Sequence, residues 1–386
     1  MTIVEAGLDV DRGLAEIGDR LDVLLNITPV NAHEARAEFG SSGYEKEPSF
    51  HYRLLDFDPD LLKRELYNLP LESVEDPTVA SLLRAKRMEL DRAITMLEDR
   101  DTPRFLPGSI QTYGAVEPSL VEDAARILSR TEPAIPSEPA SIEEFALLAR
   151  AEIESYRQRA PELSATVEIR ADMPGVMVSG GDLYLGAGGS LARSRIRPLL
   201  QHEVGTHVVT YFNGSTQPLL LLSVGLPGYE ETQEGLAMFA EYMAGGLDAN
   251  RMRVIAARVL ATRAVSDGAS FVDIFRSLLA EHGFLPGSAW SITMRATRSG
   301  GSVKDAIYLR GLIRVLEYIR AGSPLEPLLI GKIALDQIQL IEELLGRDVL
   351  RPPALSPHWL EGPVADERLA AARAGMTPLG LIGIES

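Results

Sequence analysis

Two histidines five residues apart set the tightest condition on how this chain can fold. His202 and His207 bracket the run His202-Glu203-Val204-Gly205-Thr206-His207, in a chain with only six histidines among 386 residues. Histidines four apart on a helix sit about 40° from one another and can reach one metal ion, with a glutamate beside the first left free to act as a base. At a spacing of five the angle on a regular α-helix is about 140°, and the second imidazole points away from the first. A single π-turn takes up the extra residue and restores the shared face, and Gly205, which adopts an irregular backbone at least cost, lies inside the turn required. The other reading is a regular core helix on which His202 and His207 find separate hydrogen bonds.

A hydrolytic zinc site takes three protein ligands and leaves the fourth position to water. Glu234, in Gln233-Glu234-Gly235-Leu236-Ala237, opens a later helix and would complete a set with His202 and His207, and the small Gly235 and Ala237 would let that helix approach the first closely. The plain alternative is an acidic first turn that complements the helix dipole. Glu241 is seven residues on, hence on the same face, and either orients a ligand from behind or is surface charge. Tyr308, and after it Tyr229, are candidates to donate a hydrogen bond to an oxyanion, or are partly buried tyrosines without that role. For a substrate carboxylate the cations are Arg310, whose planar fork matches it, then Lys304, with Arg298 just upstream. Tyr308 and Arg310 are two apart and cannot share a helix face, so at most one points into a site. Glu230 and Glu231 could instead receive a substrate amine.

The rest of the chain narrows the chemistry. Zero cysteines exclude thiolate metal sites and cysteine nucleophiles. A net charge of −17 disfavours nucleic acid and anionic membrane as partners, and Arg193, Arg195 and Arg197 read as a solvated basic face. The most apolar run, Leu219 to Leu222, soon meets Gly225, Pro227 and Gly228, too short to span a bilayer. The start lacks the basic and apolar segments of a secretory signal, so a cytoplasmic protein is expected.

Leu14, Ile17, Leu21 and Leu24, and then Val79, Leu82, Leu83, Leu90, Ile94 and Leu97, recur with helical period. Three prolines within 131–139 predict an extended connector, and a soft boundary there separates an N-terminal helical region, 1–135, from a catalytic domain, 136–386, unless the two form one unit. A helix over 141–159 precedes an alternating strand at Ala165, Val167 and Ile169, then a hairpin of 176–178 and 183–185 about Ser179-Gly180-Gly181-Asp182. Ser190 is expected to cap a helix running through Tyr211, with a kink or late start at Pro198. Helices follow at 234–245, 251–265, 303–320 and 327–345. The expected class is α+β, predominantly helical, with a small β-sheet ahead of the HExxxH helix. The glycine runs 186–189 and 300–301 lack the spacing of a phosphate loop.

The segments HEVGTH and TQEGLA, with the linking VVTYFNGSTQPLLLLSVGLPGYEE, resemble the QEGLA-motif family. Its bacterial members are described as modulators of flavohaemoglobin expression, and it is related to the vertebrate microtubule-associated tyrosine carboxypeptidases, which remove the C-terminal tyrosine of α-tubulin. DRGLAEIGDRLDVLLNITPVN and KDAIYLRGL extend the likeness over most of the chain. The resemblance implies a gluzincin-like zinc metallopeptidase with Zn2+ on His202, His207 and Glu234, and Glu203 as the catalytic acid and base. It implies a metallocarboxypeptidase acting on a peptide or protein C-terminus. A zinc endo- or aminopeptidase and a regulatory zinc-binding protein are the alternatives, and Glu203 argues against the last, since a structural site has no use for a base beside its ligand. Specificity for tubulin is not carried over, because a strongly acidic chain suits an acidic tail poorly.

Overall fold

The computed structural model describes residues 5–133, 138–171, 173 and 175–384. Helices make up 63% of it and the strands are short, so helices dominate an α+β fold. Strands β1 (Pro139–Ser141) and β5 (Ser190–Ala192) pair antiparallel, and β2 (Val167–Arg170), β3 (Val176–Ser179) and β4 (Asp182–Gly186) form a second sheet in the order β2-β4-β3. β3 and β4 are the expected hairpin, closed by the Ser179 and Asp182 pair. Gly180 and Gly181 between them both take positive φ, 57° and 86°, as the tightest hairpin turns demand. β2 runs parallel to β4 on its other side, which leaves β3 as an edge.

Several helices lie where the sequence places them. Leu14 and Ile17 are buried on Glu5–Asp19, the Val79 to Leu97 set is buried on Pro77–Glu98, and Ser141 caps Ile142–Arg157 by accepting from the Glu144 N–H. Two expectations need correcting. Ser190 caps no helix: it pairs with Ser141 in the β1–β5 ladder, and the helix begins only at Ile196, where Pro198 falls in the first turn and its missing N–H costs nothing. The helix expected over 327–345 is broken into Glu326–Leu329, Leu335–Gln337 and Ile338–Gly346. The interruption is backbone pairing: the Lys332 N–H donates to the Leu222 carbonyl at 2.7 Å, and the Lys332 carbonyl accepts from the Leu226 N–H at 2.9 Å. Of the predicted connector, residues 134–137 lie outside the described residues.

Two apolar clusters position the site. One joins the sheet (Leu183, Leu185) to Phe145 and Tyr156 of the helix behind it and to Ile196, Leu200, Val204, Val208 and Phe212 of the histidine helix, 196–215. The larger cluster draws on both sides of residue 135, with Leu14, Leu83 and Ile94 packed together with Leu236, Phe239 and Leu312. The carboxylate helix, Tyr229–Met243, belongs to this larger cluster. It meets the helix Ile307–Arg320 backbone to backbone, for a Cβ on Gly235 would stand 2.3 Å from the Gly311 carbonyl carbon. The smallness of Gly235 thus serves that contact, where the sequence suggested approach to the histidine helix.

Candidate metal centre

The histidine helix is α-helical over Ile196–His202, widens to a π-helical stretch over Glu203–Val208 and resumes α-helical geometry over Val209–Ser215. Side chains support the carbonyls of this irregular stretch. Thr206 Oγ1 donates to the Gln201 carbonyl (3.0 Å), Thr210 Oγ1 to the Thr206 carbonyl (2.8 Å), and Trp359 Nε1 to the Gly205 carbonyl (3.1 Å). Gly205 is closely walled, since a Cβ there would meet Gln201 Oε1 at 2.5 Å and Trp359 Cδ1 at 3.0 Å. The consequence is that the imidazoles of His202 and His207 face one another, ring centres 5.0 Å apart and planes at 78°.

Glu234 projects from the carboxylate helix into the space between them. Its Oε2 lies 3.5 Å from His202 Nε2 and 3.9 Å from His207 Nε2, and it is buried without a hydrogen bond. Tetrahedral zinc, with bonds of about 2.0–2.1 Å to nitrogen and oxygen, sets its donors about 3.3 Å apart. Glu234 stands near that spacing from both rings, and His202, Glu203 and His207 each offer an atom within 4.8 Å of one another. Glu203 Oε1 stands 4.0 Å from His202 Nε2. Behind the set, Glu241 Oε1 is 2.9 Å from His202 Nδ1, which leaves Nε2 to face Glu234. Glu241 is no surface charge: it is wholly buried, with Arg195 at 2.6 Å and Arg251 at 3.2 Å.

The electrostatics suit a cation. Burial keeps His207 neutral, with its pKa down at about 4. Burial also works against charge on Glu234, but His202, His207 and Lys304 outweigh it and hold the carboxyl at about 2. For Glu241 the opposing burial is overcome by Arg251, His202 and Arg195, so it too is anionic. Burial raises Glu203 to about 7, with Glu234 and Glu241 adding to the rise. On His202 burial is outweighed by the close carboxylates of Glu234, Glu241 and Glu203, and its pKa stands at about 10. A neutral His207 beside two carboxylates held anionic, Glu234 between the rings and Glu241 behind His202, makes this space attractive to a cation.

The set opens on a cavity of about 400 Å³. The β3 edge forms one wall, the segments about Asp19–Leu24 and Lys86–Ala93 another. Tyr308 and Tyr229 both line it. Burial and the neighbouring Glu234 raise Tyr308, so its hydroxyl stays protonated, and burial does the same for Tyr229. Lys304 lines the cavity as well, ion-paired with Glu230 and 4.8 Å from the Tyr113 ring centre. Arg310 is not brought there. Its Nε lies 2.5 Å from Glu231 Oε2, and its remaining donors go to the Ala115 and Tyr113 carbonyls, tying the helix Ile307–Arg320 to residues 113–115. Arg298 is buried and away from the cavity wall. Sequence reasoning missed Arg195 and Arg251 as partners of Glu241, and Lys332 and Tyr211 as wall residues. Arg195 carried a signal, but three closely spaced arginines read as a solvated face.

A mainly helical fold, with a small sheet before a helix whose two imidazoles converge with a carboxylate on a cleft, defines a protein built around a candidate metal-binding cleft. Residues 37–376 match the family model of the microtubule-associated tyrosine carboxypeptidase, and the chain belongs to that family. No curated protein matches it. Among solved structures, that of a presumed lipoprotein from Colwellia psychrerythraea is similar over 97% of this chain and 77% of that one, at 12% identity and a TM-score of 0.41, too loose a likeness to carry an argument.

Proposed function

We propose that this protein is a zinc-dependent metallocarboxypeptidase that removes a C-terminal residue, tyrosine by analogy with the family's name, from a peptide or protein. The observation that carries the reading is Glu234 Oε2, buried without a hydrogen bond between two imidazole nitrogens, with the Glu203 carboxylate close by. His202, His207 and Glu234 would hold the ion. Zinc bound there supplies Lewis acidity, activating a water and polarising the scissile carbonyl. Glu203 takes the proton of the attacking water and returns it to the leaving amine. Tyr308 offers its O–H to the developing oxyanion, and the free edge of β3 receives the extended substrate backbone as an added strand. The aminopeptidase alternative loses its amine pocket, because Glu230 is paired with Lys304 and Glu231 with Arg310 and Arg314. Among the described residues no helix is long and apolar enough to cross a membrane. The absence of cysteine supports a cytoplasmic site of action.

The test pairs metal analysis of wild type, Glu203→Gln and His207→Ala with mass-spectrometric cleavage of a mixed peptide library. The expected result is stoichiometric zinc in the first two, loss in His207→Ala, and C-terminal trimming by wild type alone. N-terminal or internal cuts would favour another zinc peptidase, and zinc without cleavage a regulatory protein. Failure to bind metal would return His202 and His207 to the core.

A further inference from the structure

Four cations line the cavity among the described residues: Lys86, Arg295, Lys304 and Lys332. Three already have carboxylates. Lys86 Nζ lies 2.6 Å from Glu89 Oε2, Arg295 forks onto both oxygens of Asp305 at 2.5 and 2.6 Å, and Lys304 pairs with Glu230. The Lys332 ammonium has no hydrogen bond or ion pair among the described residues, and sits instead against the rings of Tyr211 and Tyr229, 5.2 and 5.6 Å from their centres.

Lys332 is also held in place. Its N–H and carbonyl are bonded to Leu222 and Leu226, and Gly331 before it lies so close to that segment that a Cβ would stand 2.6 Å from the Leu222 carbonyl oxygen. Its charge is felt at His207, whose pKa it helps to lower. Burial, opposed by Glu230 and Asp19 and aided by Lys86, brings its own pKa down to about 8. A partly desolvated ammonium between two aromatic faces gains from an anion that completes its shell.

We propose that Lys332, bracketed by Tyr211 and Tyr229, receives the α-carboxylate of the substrate's last residue and thereby makes the site an exopeptidase. The assignment rests on the peptidase reading and takes the role that the sequence suggested for Arg310. A glutamate side chain in the substrate offers the same carboxylate chemistry, so the test separates the two sources.

Three fluorescein-labelled peptides ending in tyrosine serve as probes: a free acid, its C-terminal amide, and an amide with glutamate before the tyrosine. Binding is read by anisotropy to the zinc-supplemented Glu203→Gln protein, which does not consume the probe, with and without Lys332→Met or Lys332→Arg. The free acid is expected to bind about ten- to a hundredfold more tightly than the amide, the range of one charge-assisted hydrogen bond. Lys332→Met should bring that ratio to within about twofold, and Lys332→Arg should keep most of it. A ratio unmoved by Lys332→Met, no ratio in its absence, or no binding by any probe overturns the proposal. So does a Lys332→Met effect confined to the glutamate-bearing amide, which would assign Lys332 to a side chain. Failure of the peptidase reading looks different, as a free-acid preference that depends on Lys332 in a wild-type protein that cleaves nothing.

Discussion

A carboxylate with no exposed surface, held by two arginines and an imidazole, is costly to disturb. Glu241→Gln keeps the shape and removes the charge behind His202, and zinc affinity is expected to fall about 10- to 100-fold, measured by competition with a chromophoric chelator. Glu241→Ala leaves Arg195 and Arg251 without their partner and should cost about 3–5 kcal/mol in urea unfolding. Asp11 gives a pH-dependent case. Burial lifts its pKa from 3.8 to about 6, against the pull of the Leu220 and Leu221 N–H groups it accepts from. A carboxyl raised on folding contributes stability that is complete below the unfolded value and lost as pH rises through the folded one. Between pH 3 and 7 the stability of wild type relative to Asp11→Asn should therefore fall by up to about 3 kcal/mol, and a flat difference would show that Asp11 carries no such linkage. At this scale the sequence was partly legible. A seven-residue step places Glu241 on the face of Glu234, but its burial depends on Arg195 and Arg251, whose approach no local pattern encodes.

The elements differ in how far local chemistry determines them. The π-turn could be read because an odd spacing and Gly205 coincide, and the hairpin because Ser-Gly-Gly-Asp specifies its own turn. Ser190 was misread because its partner strand, β1, lies far upstream, and pairing between distant segments outweighs a capping preference. The helix Ile307–Arg320 obeyed the face rule, with Tyr308 on the cavity and Arg310 spent on Glu231 and two carbonyls. Its contact through Gly311 yields a prediction. Gly235→Ala puts a methyl group against backbone that cannot yield, so the helices must part, at about 3 kcal/mol. Gly40→Ala, on the helix Ala32–Ser41 with open space around it, should instead stabilise by about 0.5–1 kcal/mol, and comparing urea midpoints tests both.

Across the whole molecule the proposed ligands come from both sides of a seam: His202 and His207 from the helix packed on the sheet, Glu234 from the helix of the larger core. A zinc ion held by the proposed donors would cross-link the two sides, so zinc at a hundred times its dissociation constant should add about 2.7 kcal/mol to stability. Chelator should remove the gain in wild type and change nothing in His207→Ala, as followed by urea unfolding with and without added zinc. The seam was not legible in the sequence, because each cluster gathers residues from well-separated stretches. The widened turn has a further consequence, for how such a chain can change over generations. Deleting the extra residue would let the π-turn relax to a regular α-turn, with the two histidines then four apart and still on one face. The helix beyond would keep its orientation, and with it Asn213, whose amide binds the Leu329 and Leu355 carbonyls at 2.7 and 2.9 Å and whose oxygen accepts from the Leu355 N–H at 2.8 Å. A lineage could therefore gain or shed this one residue with its C-terminal segments still fastened, and the odd histidine interval is in that sense an insertion that the fold beyond it does not feel.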